Sequence, residues 1–184
     1  AVAAGPSKEA RRDLRDVLER ASARGTAART AVGAVCRALL VRAGIEVYAH
    51  VVSIGDVEAD SSSLDEDARR ERARASDLSV ADPEAEAKMR EAIHAASHNS
   101  DTLGGVFEVR ATGVVPGLGS HVHWDRRLDG ELARALMSIQ AIKGVEVGLG
   151  FEAARLRGSA VHDAIDFDPS YARYTRPTNG AGGV

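Results

Sequence analysis

Aromatic residues make up only 4% of this 184-residue chain. Proteins that read single-stranded nucleic acid stack bases on aromatic faces, and this composition offers few such platforms. Positive charge is not in excess either. The 24 Lys and Arg stand against 27 Asp and Glu, and a net charge of −3 has the wrong sign for a phosphate-backbone binder. A single cysteine, Cys36, excludes an internal disulfide framework and points to a reducing, cytoplasmic setting. No apolar run approaches the roughly 18 residues that span a bilayer, and no basic start followed by an apolar centre suggests a leader, so no membrane association is expected. Complete catalytic sets are also missing. There is no Ser–His–Asp order, no metalloprotease helix and no close pair of carboxylates in an apolar setting.

What remains is a chain that is 44% hydrophobic, with a core to be built from Ala, Val, Leu and Ile. Charged residues separate Leu14, Val17 and Leu18 at helical spacing, which predicts a solvated amphipathic helix before Gly25. The run 26–43 carries Ala, Val and Leu on nearly every side and predicts a buried helix stopped by Gly44. Alternating β-branched residues over 45–54 and 104–115 predict two strands of the sheet that this helix covers. Between 56 and 85 apolar periodicity is lost and charge concentrates, the composition of a flexible, solvated insertion. Pro83 at a helix start, with Met89 and Ile93 one turn apart, predicts a further helix, and 129–142 another. The run 144–151, "GVEVGLGF", reads as a short strand. Helices and strands interleave, so the fold class is α/β (α+β), in a single domain.

Three groups of residues bear on chemistry. His121 and His123, two apart, would share one face of a strand and could take Asp125 or the His162–Asp163 pair as further metal ligands. No third ligand has diagnostic spacing, so no metal is expected. The glycines of "GVVPGLGS" match no phosphate-binding fingerprint and read as a tight turn. Arg20, Arg24 and Arg29 flank small residues at the mouth of a helix, where guanidinium groups and free N–H donors suit a phosphate or carboxylate.

Several long runs go further than spacing does. "RASARGTAAR", "GIEVYAHVVSIG", "DTLGG", "GVVPGLGSHVHWDRRLDGELARALMSIQAIKGVEVG", "GFEAARLRGSAVHD" and "TNGAGG" occur in this order, and together they resemble chorismate synthase, in an actinobacterial form. The resemblance covers nearly everything from Leu14 onward apart from the charged insertion. It implies a β-α-β sandwich, partial here, that assembles as a homotetramer. It implies a lyase that uses reduced FMN, with NADPH as a possible reductant, to eliminate phosphate from 5-enolpyruvylshikimate 3-phosphate and give chorismate. FMN contacts are implied at Arg20, Ala21 and Ser22 and again at Gln140 and Ala141. Family chains run to roughly twice this length, in keeping with one large domain. The family's catalytic histidines fall in segments that do not occur here, so no catalytic residue is assigned to this chain. A diverged small enzyme or a non-catalytic domain on the same framework is the alternative.

Overall fold

The computed structural model describes residues 23–170 and 172–182. Among the described residues five α-helices are formed: α1 Ala23–Arg42, α2 Glu66–Ala75, α3 Pro83–His98, α4 Leu128–Met137 and α5 Gly158–Val161. Five strands join them: β1 Glu46–Ile54, β2 Val57–Glu58, β3 Gly105–Thr112, β4 Asp166–Asp168 and β5 Arg173–Thr175. These strands pair antiparallel, in the order β2-β1-β3 and, separately, β4-β5, and an isolated parallel bridge joins Val51 to Val80, so the class is α+β. Contacts divide the chain into two compact units, Gly33–Val114 and Ala1–Val32 with Val115–Val184.

In Gly33–Val114 the strands form where alternation predicts them. Glu46 pairs with Thr112 and His50 with Glu108, and a bulge between Val51 and Ser53 shifts the register near the strand end. Because successive side chains point to opposite faces, Tyr48, His50, Glu108 and Arg110 share one face and Val47, Ala49, Phe107 and Val109 the other. The polar face is the covered one. Tyr48 and His50 are buried, with α2 against them through Glu66, whereas Phe107 and Val109 remain 40% and 43% exposed.

The flexible insertion predicted over 56–85 is corrected: it carries β2, α2 and half of the unit's core. Asp65 caps α2 by accepting from Ala68 N–H at 2.7 Å. Asp82 caps α3 with one carboxylate oxygen on Glu84 N–H at 3.0 Å and Ala85 N–H at 3.2 Å, and Pro83 needs no donor of its own in that first turn. These stops let Val80, Ala85 and Met89 form an apolar cluster with Val51, Ile54, Val57, Ala59 and Leu78 packed around it. Charge density misled the composition reading because part of that charge is paired inside the unit, with Glu66 and Arg69 of α2 bonded to each other and Glu66 to Tyr48 and Arg110 of the sheet.

Two more expectations are overturned. Helix α1 forms and Gly44 ends it with a φ of +79°, but Val35 and Leu39 are 72% and 70% exposed, so it is not the buried helix packed on the sheet that its composition predicts. Apolar composition fixes what a surface requires, not whether this chain supplies the partner. The run 144–151 is not a strand. It passes through turns at Gly148 and Gly150, both at positive φ, into a 3-10 helix over Gly150–Arg155, and Leu149 N–H bonds to Gly180 O rather than to a strand partner.

Candidate functional site

The unit Ala1–Val32 with Val115–Val184 brings the start of α1 to the end of α4. Arg29 Nη1 donates to both the carbonyl and the hydroxyl oxygen of Ser138 at 2.9 Å, and Ser138 is the C-cap of α4, where carbonyls lack helical partners and a cation is favoured. One turn back on α1, Thr26 Oγ1 donates to Gln140 Oε1 at 3.4 Å. Beyond Gln140 the backbone turns left-handed at Ala141, with φ +69°. A non-glycine residue there costs roughly 1–2 kcal/mol, and such outliers persist where the surroundings hold them. Gln140 and Ala141 are exposed, as is Arg24. Of the residues singled out in sequence, the structure thus gathers Arg29 and Gln140 at one junction, with Ala141 adjoining in the chain. Arg20, Ala21 and Ser22 lie outside the described residues, as does the predicted helix around Leu14–Leu18.

The histidine candidates do not converge. His121 and His123 sit in an exposed bend before the 3-10 turn Trp124–Arg126, so the shared strand face is lost. Among the described residues no group of three His, Cys, Asp or Glu could hold a metal ion. Asp163, weighed in sequence as a candidate further ligand, is engaged by backbone and hydroxyl donors. Its carboxylate accepts from Gly180 N–H and Thr178 Oγ1, both at 2.6 Å, and from Ala181 N–H at 3.0 Å. The Ala181 N–H first, then the Thr178 hydroxyl and Gly180 N–H, hold its carboxyl well below the usual range, at about 2.

Sequence reasoning missed a charged network in Gly33–Val114. Tyr48 OH donates to Glu66 Oε2 at 2.5 Å, and Arg110 and Arg69 reach Glu66 Oε1 at 2.5 and 3.1 Å. Arg69 is buried, but its remaining donors reach Ser61 Oγ, Ser61 O and Leu64 O at 3.2, 3.0 and 2.8 Å, so its charge is not left unsatisfied. Burial opposes ionisation of Glu66, but the Tyr48 hydroxyl and the Arg110 and Arg69 charges outweigh it and the carboxyl titrates lower. Burial and the bond to Glu66 push Tyr48 up, and burial pushes His50 down against the pull of Glu108. A cavity of about 270 Å³ opens beside His50, Arg69, Glu108 and Arg110. The sequence signal was the alternation of Tyr48 with His50 and of Glu108 with Arg110, polar groups on one face of each strand.

An antiparallel sheet carrying a polar network, and a helix-terminus junction built from arginine, hydroxyl and amide groups, define the class as α+β. The family follows from comparison. The chorismate synthase family model matches residues 3–184. Chorismate synthase of Geobacter metallireducens is 52% identical over 98% of this chain and 47% of its own length. That of Acidothermus cellulolyticus is 58% identical over 94% of this chain and 44% of its own. A crystal structure of a chorismate synthase superposes with a TM-score of 0.89 at 48% identity, covering 98% of this chain and 56% of that one. The chain belongs to the chorismate synthase family. It spans about half the length of the curated relatives it matches.

Proposed function

We propose that this chain contributes one side of a flavin site in a chorismate synthase, a shikimate-pathway lyase that eliminates phosphate from 5-enolpyruvylshikimate 3-phosphate. The observation that carries the reading is the Thr26–Gln140 hydrogen bond. Gln140 and Ala141 are two of the residues that resemblance marks for FMN, and Thr26 lies four positions after Ser22, the last of the other three. The residues at the junction suit the group. Exposed Gln140 offers an amide to a polar ring edge, the left-handed turn at Ala141 exposes backbone, and the arginine-rich segment suits a phosphate. Reduced FMN, when bound, supplies electron density to the eliminating substrate with no net redox change. The chain's own part is to bind and orient. Arg29 fixes Ser138, and Thr26 fixes the amide of Gln140 with its oxygen turned toward α1.

The protein works as a cytoplasmic homotetramer in this reading, on a small phosphorylated substrate, with NADPH as a possible source of reducing equivalents. No described helix is long and apolar enough to cross a membrane. A second reading, a non-catalytic or assembly module, is favoured by one observation: the apolar sheet face with Phe107 and Val109, and the apolar positions Val35 and Leu39 of α1, are uncovered.

The test is an anaerobic assay with reduced FMN that follows chorismate by absorbance, run on the 184-residue chain and on a chain completed to family length with the matching segments of a relative. The completed chain should turn over and the short chain should bind FMN weakly without turnover, because a ligand solvated on one side loses much of its burial. Failure of the completed chain to bind FMN favours the assembly module.

A further inference from the structure

One short stretch, 178–181, closes onto the Asp163 carboxylate. Oδ1 takes the Thr178 hydroxyl and Gly180 N–H, and Oδ2 takes Ala181 N–H. The loop so held reaches back onto 147–149. Gly180 O accepts from Leu149 N–H at 2.9 Å. Gly148, at φ +61°, lies so close that a Cβ on it would stand 2.2 Å from Gly180 O and 2.5 Å from Gly182 N. A Cβ on Gly182 would meet Val147 Cγ1 at 2.8 Å, and one on Gly180 would meet Val161 O at 2.6 Å. Backbone packed this closely leaves no room for a side chain at Gly148, Gly180 or Gly182 unless a neighbour shifts. Val147 in turn walls an open groove of about 340 Å³ with Trp124, Arg127, Asp129 and Ala133.

We infer that Asp163 is a positioning residue whose carboxylate fixes the loop 178–182 against 147–149 and thereby sets the wall of the groove along the start of α4. Asparagine cannot replace it. Three donors converge on two oxygens, and an amide offers one oxygen and turns its NH₂ on a donor. The carboxyl at about 2 keeps its charge at neutral pH, so the clamp is always closed to solvent protons there. Nothing in this clamp depends on flavin. Its consequence for binding rests on the proposed function, because 147–149 continues the segment that begins at Gln140 and Ala141.

Two readouts separate the clamp from that reading. Amide hydrogen exchange on the 184-residue chain should speed up about tenfold at Leu149, Gly180 and Ala181 in Asp163→Asn, with α1 and α4 unchanged. In the chain completed to family length, the same variant should raise the Kd for FMN about tenfold, with kcat at saturating FMN within a few-fold of wild type. A residue that merely supports folding would instead lower the active fraction at unchanged Kd. Unchanged exchange at the three amides, or a loss of kcat at unchanged Kd, overturns the inference. If Asp163→Asn does not fold, Thr178→Val removes one donor of the three and decides. Faster exchange at Gly180 with weaker FMN binding supports the clamp, and no change in either overturns it. If the wild-type completed chain binds no FMN, the flavin reading fails and the exchange result alone judges Asp163.

Discussion

The Nε2 of His50 lies 3.4 Å from Glu108 Oε2, while its buried Nδ1 has no hydrogen-bond partner among the described residues. Burial pushes the ring's titration down, against the pull of the nearby carboxylate. An unfolded histidine titrates near 6.5, and the folded one below that. As pH falls through 6.5 the unfolded chain gains a proton that the native chain refuses, so stability drops between 6.5 and the lower folded value. The urea midpoint should be lower at pH 5.5 than at pH 7.5, and His50→Gln should flatten that difference. An unchanged slope in the variant would assign the effect to another group.

Met89 is fully buried among Val80, Ala85 and their neighbours. Met89→Ala should cost about 2–5 kcal/mol, the range for deleting a large core side chain. Denaturant unfolding measures it. A cost under about half a kilocalorie would mean that 56–85 contributes no cooperative core.

Leu39 is 70% exposed on an apolar helix. Leu39→Ala should change the stability of the 184-residue chain by no more than about 0.5 kcal/mol. In a chain completed to family length it should cost about 2–5 kcal/mol, because the added protein buries the position. Equal costs in both backgrounds would show that the helix has no further partner.

Gln140→Ala removes the acceptor for Thr26 and the amide assigned to flavin. In the completed chain FMN binding should weaken by about tenfold, of the order expected from one or two lost hydrogen bonds. Thr26→Val, which leaves the amide in place and removes only the Thr26 hydroxyl from it, should weaken it less. Fluorescence titration distinguishes the two. Equal affinity for wild type and Gln140→Ala would remove Gln140 from the site.

Gly148→Ala forces a side chain into a left-handed position already filled by Gly180 O. Thermal unfolding should start earlier, by an amount set by how far the loop 178–182 gives way. A neutral effect would mean that the loop moves freely, which also weakens the case for Asp163.

Strand β1 and strand β3 were legible because alternation and β-branching act residue by residue. So were helix α3, with Pro83 and Asp82 at its start, the stop at Gly44, and the family itself, carried by long motifs in fixed order. The surroundings of each element were not legible. Identical apolar periodicity describes a buried helix and one waiting for a partner, so the exposure of α1 needed coordinates. Charge density over 56–85 hid the cluster under Val80 and Met89, since a few well-spaced small apolar residues are enough when caps hold the elements in place. Asp163 stood out in sequence only as a candidate ligand beside His162, in a set from which no metal was expected. Its actual partners are backbone N–H groups and a hydroxyl from 178–181, and no local pattern could bring those donors together. Sequence by itself determined which backbone conformations are favoured and which family the chain belongs to. Tertiary structure decided what each surface meets, because burial and hydrogen-bond partnership are set between residues distant in the chain.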